Sequence, residues 1–82
     1  MVDYKALVEF VVRELVTQPD QVSVSVTDRD GRQLVDIAVA SDDMGRVIGK
    51  QGYIANSMRQ ILKACAIKEN VKVNLEISSL DE

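Results

Sequence analysis

Apolar residues in the first segment fall at helical spacing. Tyr4, Leu7, Val8, Val11 and Leu15 share one face, and Phe10, Val12 and Val16 widen it. This periodicity predicts an amphipathic helix from about Tyr4 to Val16. Asp3 stands where a capping side chain belongs, and Pro19 ends the helix. Four valines lower the intrinsic propensity, so packing must hold it. The period then drops to two. Val22, Val24 and Val26 alternate with Ser23, Ser25 and Thr27, and Val35, Ile37 and Val39 alternate with Asp36 and Ala38. Each run reads as a half-buried strand. Asp30-Gly31 between them is a hairpin signal, because the tight turn needs positive φ.

Helical spacing returns after the second strand. Ser41 can cap a short helix, with Asp42 and Asp43 favourable at its positive end. A longer helix is expected from about Gln51 to Ile67, with Ile54, Met58, Ile61, Leu62 and Cys65 facing the sheet. Asn70 is a fair terminator. Val71, Val73, Leu75 and Ile77 alternate with Lys72, Asn74 and Glu76 as a third strand, and residues 78–82 read as a flexible acidic tail. The order is α-β-β-α-α-β. It predicts an α+β domain filling residues 1–82, its core spanning about residues 4–77. The first two strands pair antiparallel, and the two-helix crossover brings the third parallel to the second. The result is a three-stranded mixed sheet with three helices on one face.

Between the last two helices lies Gly45-Arg46-Val47-Ile48-Gly49-Lys50-Gln51-Gly52. Glycine lets backbone approach a ligand with no Cβ in the way. Lys50 and Gln51, held between Gly49 and Gly52, can hold a phosphate. Val47, Ile48 and Ile54 suit the floor of a groove for bases, although such residues also serve a small core. The combination points to single-stranded RNA rather than to a reaction. It is not a nucleotide P-loop. Residues 45–51 read G-x-x-x-G-K-Q, one residue short of that pattern and without the hydroxyl that would hold magnesium.

Composition narrows the classes. Zero histidines remove the usual general base, and the single cysteine, Cys65, excludes an internal disulfide and a cysteine-rich zinc site. No catalytic residues, metal ligands or cofactor are expected, and the chain is not read as an enzyme. No apolar run approaches the ~20 residues of a membrane span. The first residues lack the features of a signal peptide, so the chain is read as cytoplasmic. The net charge of −3 opposes simple polyanion binding, since phosphate affinity comes from Lys and Arg. The distribution matters more. Residues 44–68 hold Arg46, Lys50, Arg59, Lys63 and Lys68 and no acid.

The element order, together with Val47-Ile48-Gly49-Lys50-Gln51-Gly52 and Ile54, resembles the KH domain in its bacterial, type II arrangement. The resemblance covers the chain from about Tyr4 to Ile77. A chain that is nothing but this domain is similar to the small single-domain KhpA family, in which an arginine typically stands where this chain has Tyr53. The resemblance implies that Gly49 and Gly52 let backbone approach RNA phosphates, that Lys50 and Gln51 lie against them, and that Ile48 and Ile54 line the groove. It makes Val39 a candidate for the opposite wall. Arg46 and Arg59 are secondary phosphate contacts placed by helical spacing alone.

The outer face of the long helix forms a second surface. Tyr53, Ser57, Gln60, Ala64 and Ile67 share it, and none is charged. Exposed helix faces normally carry Lys and Glu, so a neutral stripe suggests a protein contact. The resemblance implies self-association as a homodimer, or a heterodimer with a larger, KhpB-like protein containing a KH domain. Two functions stay open: an RNA-binding post-transcriptional regulator or RNA chaperone, and a protein-interaction subunit with little RNA binding of its own.

Overall fold

The computed structural model describes residues 3–80. The Asp3 carboxylate accepts a hydrogen bond from the Ala6 amide at 3.1 Å and starts α1, Tyr4–Leu15. The helix stops at Val16, which is extended, and Pro19 opens a separate 3-10 turn three residues further on. The buried line of α1 is Tyr4, Val8 and Val12, at i, i+4 spacing, with Leu7, Val11 and Val16 packed beside it. Phe10 does not widen that face. Its side chain is 64% exposed, because it lies about 200° around the helix from Val8.

Strand β1, Ser23–Arg29, turns at Asp30-Gly31 into β2, Arg32–Val39. The turn residues have φ of 51° and 79°, as a two-residue hairpin requires. Strand β3, Lys72–Ser79, pairs parallel with β2, so the sheet order is β1-β2-β3. The fold is α+β in the order α-β-β-α-α-β, with three helices and a three-stranded mixed sheet. Val24, Val35, Ile37, Val39 and Leu75 fill the covered side of the sheet. Strand β3 runs two residues beyond Ile77, and the Leu80 amide donates to the Val39 carbonyl at 2.9 Å. Ser78 and Ser79 therefore belong to the sheet and not to the expected tail. Asp81 and Glu82 lie outside the described residues.

Two helices fill the crossover: α2, Met44–Ile48, and α3, Tyr53–Glu69, which ends at Asn70 with φ of 59°. Ser41 caps neither; it opens a 3-10 turn whose preceding residue, Ala40, is extended. Asp43 is fully buried and turns away from the α2 amides. Its carboxylate accepts from the Thr17 amide at 3.0 Å, the Thr17 hydroxyl at 2.8 Å and the Gln18 amide at 3.2 Å. The acid expected to favour the positive end of this helix is instead a tether between the end of α1 and the start of α2.

The buried line of α3 is Ala55, Met58, Leu62 and Ala66. Ile61 is the exception to the expected sheet-facing set, at 55% exposed. It stands one residue, about 100°, off the line that Leu62 occupies. The two alanines let the helix backbone sit close to the sheet. Tyr4, buried under the end of α3, donates its hydroxyl to Glu69 at 3.5 Å. Burial, with the Glu69 charge second, raises the Tyr4 pKa above the ordinary phenol value. Among the described residues, no helix is long and apolar enough to cross a membrane.

Candidate nucleic-acid interface

The turn between α2 and α3 is built almost entirely from left-handed backbone. Gly49 has φ 79° and ψ 173°, Gln51 φ 58° and ψ 28°, and Gly52 φ 76° and ψ 13°. The Gly49 conformation is open to glycine alone. A Cβ there would fall 2.7 Å from Ile54 Cγ1 and 2.9 Å from the Ile54 amide nitrogen. Gly49 therefore does two things: it takes the backbone through a forbidden region and seats it directly on Ile54. Gly52 is looser, since a Cβ there would meet only Asn56 Nδ2 at 3.5 Å. The loop closes on itself through the Gly52 amide, which donates to the Gly49 carbonyl at 3.2 Å.

Lys50 and Gln51 stand exposed at the tip, and neither side chain bonds to another described residue. Behind them begins the 17-residue α3, whose N-cap, Gly52, supplies no capping side chain. The Tyr53 amide donates to the Lys50 carbonyl, so what this end of the long helix offers an anion is the positive end of its dipole. The left-handed turn at residues 51 and 52 is why α3 begins at Tyr53 rather than at Gln51.

The other expected site residues divide into two groups. Ile48 and Ile54 are half-buried beside the loop and keep apolar surface available. Val47 is fully buried and serves the core. Val39 is also fully buried, on the covered side of the middle strand, so its side chain has no surface to offer as a groove wall. Arg46 is exposed and lies 3.7 Å from Asp43 through its Nε. Arg59 reaches across to the free edge of β3. Its Nε and Nη2 donate to the Leu75 carbonyl at 3.4 and 3.3 Å, and its Nη1 to Asn56 Oδ1 at 3.0 Å.

Arg59 stands at a cleft of about 680 Å³ between α3 and the edge strand β3, lined also by Lys63, Ala66, Val73, Lys72 and one acid, Glu76. The cleft starts six residues, about 9 Å, along α3 from Tyr53. Sequence reading missed it, because its two walls are far apart in the chain. The signal was present in Lys63 and Lys72, which flank the apolar positions of both elements.

Tyr53, Ser57, Gln60, Ala64 and Ile67 are all exposed, Tyr53 at 76% and Ile67 at 71%. The Ser57 hydroxyl donates to the Tyr53 carbonyl at 2.8 Å, so it demands no partner from outside the helix. Ile61 adjoins this stripe on the side of α1. Together with Leu7 and Val11 it lines a small apolar dimple of about 60 Å³ between the helices. Ile67 also borders the cleft, so one end of the stripe meets the basic groove. Among the described residues, no group of three or more Cys, Asp or Glu is placed to hold a metal ion.

The family model described as the KhpA/KhpB KH domain matches residues 5–77. The chain is similar to the RNA-binding protein KhpA of Clostridium acetobutylicum, 45% identical over 73 residues, 89% of this chain and 97% of the relative. It is 46% identical over 74 residues to that of Halalkalibacterium halodurans, covering 89% and 96% of the two chains. It is 39% identical over 71 residues to that of Borreliella burgdorferi, covering 87% of each. No solved structure matches.

Proposed function

The chain belongs to the KhpA/KhpB KH-domain family, and from that premise we propose that it binds single-stranded RNA through the loop from Gly49 to Gly52. The observation that carries this reading is the loop's geometry. Three positive-φ residues present the exposed Lys50 and Gln51 in front of a helix terminus that has no side-chain cap. Phosphates meet the loop, and bases lie over Ile48 and Ile54. Arg46 supplies further charge, and Arg59 marks the entry to the α3–β3 cleft. Loops of KH domains in general clamp about four nucleotides, a property of the family and not of this chain in particular. Curated relatives carrying the name RNA-binding protein support the ligand class. In the cell the domain acts in the cytoplasm as a post-transcriptional regulator or RNA chaperone. It works as a homodimer or beside a larger KH partner, joined through the neutral face of α3.

Replacing Lys50 and Gln51 together by aspartate tests the loop. Both side chains are exposed and bond to no other described residue, so the fold should stay intact. Two negative charges would then stand where phosphates sit. Circular dichroism should look native while RNA retardation disappears. RNA affinity that survives in the folded variant removes this loop as the clamp. A second reading, a protein-interaction subunit with little RNA binding of its own, is favoured by one observation: the exposed neutral stripe from Tyr53 to Ile67.

A further inference from the structure

The uncovered face of the sheet carries chemistry that the loop and the α3 stripe do not use. Because the strands are in register, its side chains form rows. Ser25, Asp36 and Glu76 make one row, and Thr27, Leu34 and Asn74 the next. At the hairpin end, Arg29 pairs with Arg32 and Arg32 with Lys72. All three are exposed, and none forms an ion pair among the described residues. Neighbouring strands lie about 4.8 Å apart, so the backbones that carry these three cations span about 10 Å. Like charges directly opposite one another destabilise a sheet. Asp28 and Asp30 lie next to the row in sequence, yet neither pairs with it. A row of like charges that costs stability and has no ion pair among the described residues suits an external anion.

The row is not an island. Lys72 is also part of the α3–β3 cleft, with Arg59 and Lys63. Lys50, Arg59, Lys63, Lys72, Arg32 and Arg29 together use six of the chain's ten basic residues. On the same face, Asp36 lies two rows away and repels an anion from the middle of the sheet, while Glu76 beside it lines the cleft, where Arg59, Lys63 and Lys72 outnumber it. We propose that Arg29, Arg32 and Lys72 form a second phosphate-contacting site. It receives the backbone of an RNA strand that leaves the cleft around the edge of β3 and crosses the hairpin end of the sheet. The inference rests on the RNA-binding reading of the loop and extends its footprint. An acidic protein is the poorer occupant. The adjoining row, Thr27, Leu34 and Asn74, offers one half-buried apolar side chain, whereas protein interfaces are built around an apolar centre.

Fluorescence anisotropy with two labelled RNAs tests this, one of about four nucleotides to match a KH loop and one of about twelve. Each is titrated over a range of salt. Single strands contribute a slope of about −0.7 in log K against log salt per neutralised phosphate. The longer RNA should therefore show a slope steeper by about 2 than the shorter one on that scale. Arg29→Glu with Arg32→Glu should remove most of that excess and leave the short RNA bound as in the wild type. Arg29→Gln with Arg32→Gln, which introduces no repulsion, should remove part of it and guards against a misfolded reversal variant. The longer strand also gains affinity from its larger number of binding registers. That gain persists in every variant, so the slope is the deciding readout. Equal slopes for the two RNAs in the wild type, or an unchanged excess in both folded variants, overturns the second site and leaves the loop reading standing. Failure of the wild type to bind either RNA overturns both.

Discussion

Gly49 and Gly52 look equivalent in the motif but differ in what they must bear. At Gly49 any side chain would combine a glycine-only conformation with a contact of 2.7 Å to Ile54. At Gly52 the conformation is left-handed helical and the space is open. Gly49→Ala should therefore cost about 3 kcal/mol and Gly52→Ala about 1 kcal/mol, an order that urea denaturation can check. Asp43 sets a second test at this scale. The backbone hydrogen bond from Thr17, and after it the Thr17 hydroxyl, the Gln18 amide and Arg46, hold its pKa below the ordinary carboxylate value, against the opposing effect of burial. A depressed folded-state pKa adds stability above the unfolded value of about 3.9, and that contribution fades as pH falls from there through the folded value. Asp43→Asn should be less stable than wild type at neutral pH, because its amide group turns donors toward donors. The stability gap should narrow below roughly pH 4. Thermal melts across that range decide it, and a gap that stays constant would show that the charge is not what Thr17 and Gln18 recognise.

Among the elements, α3 has the most to do. One face packs on the sheet through Ala55, Met58, Leu62 and Ala66, its first turn backs the glycine loop, and its outer stripe is free of charge. In a two-fold dimer a surface patch meets its own copy, so one added charge is opposed by another. Ala64→Glu should shift the protein to monomer in sedimentation while its circular dichroism spectrum stays native, since Ala64 is exposed and lines neither the cleft nor the dimple. A wild type already monomeric at high concentration, or a variant that stays dimeric, would make the stripe ordinary surface. This helix also shows where sequence reading reaches its limit. Period and capping placed its existence, its loop and its outer stripe, because those depend on neighbours in the chain. Which apolar residues face inward depends on how deeply the helix settles on the sheet. Ala55 and Ala66 allow a close approach and leave Ile61 outside. Small residues carry little weight in a hydrophobic pattern, so the line they define was not visible.

For the molecule as a whole, element order and the mixed sheet were legible because hairpin and crossover rules leave few arrangements for six elements. The α3–β3 cleft and the row Arg29–Arg32–Lys72 were not. Both depend on register between strands that are not consecutive, and alternation alone does not supply that register. Charge shows the same gap between sum and placement: the net charge of −3 hides a stretch, residues 44–68, with five cations and no acid. The Arg59 bridge has a consequence of a different kind. An open sheet has two unpaired rims, and a bare rim is a template on which another chain can extend the sheet without limit. By occupying the Leu75 carbonyl, Arg59 spoils that template halfway along β3. A strand added at that rim would have to displace the Arg59 guanidinium first, so this rim resists sheet extension at its midpoint.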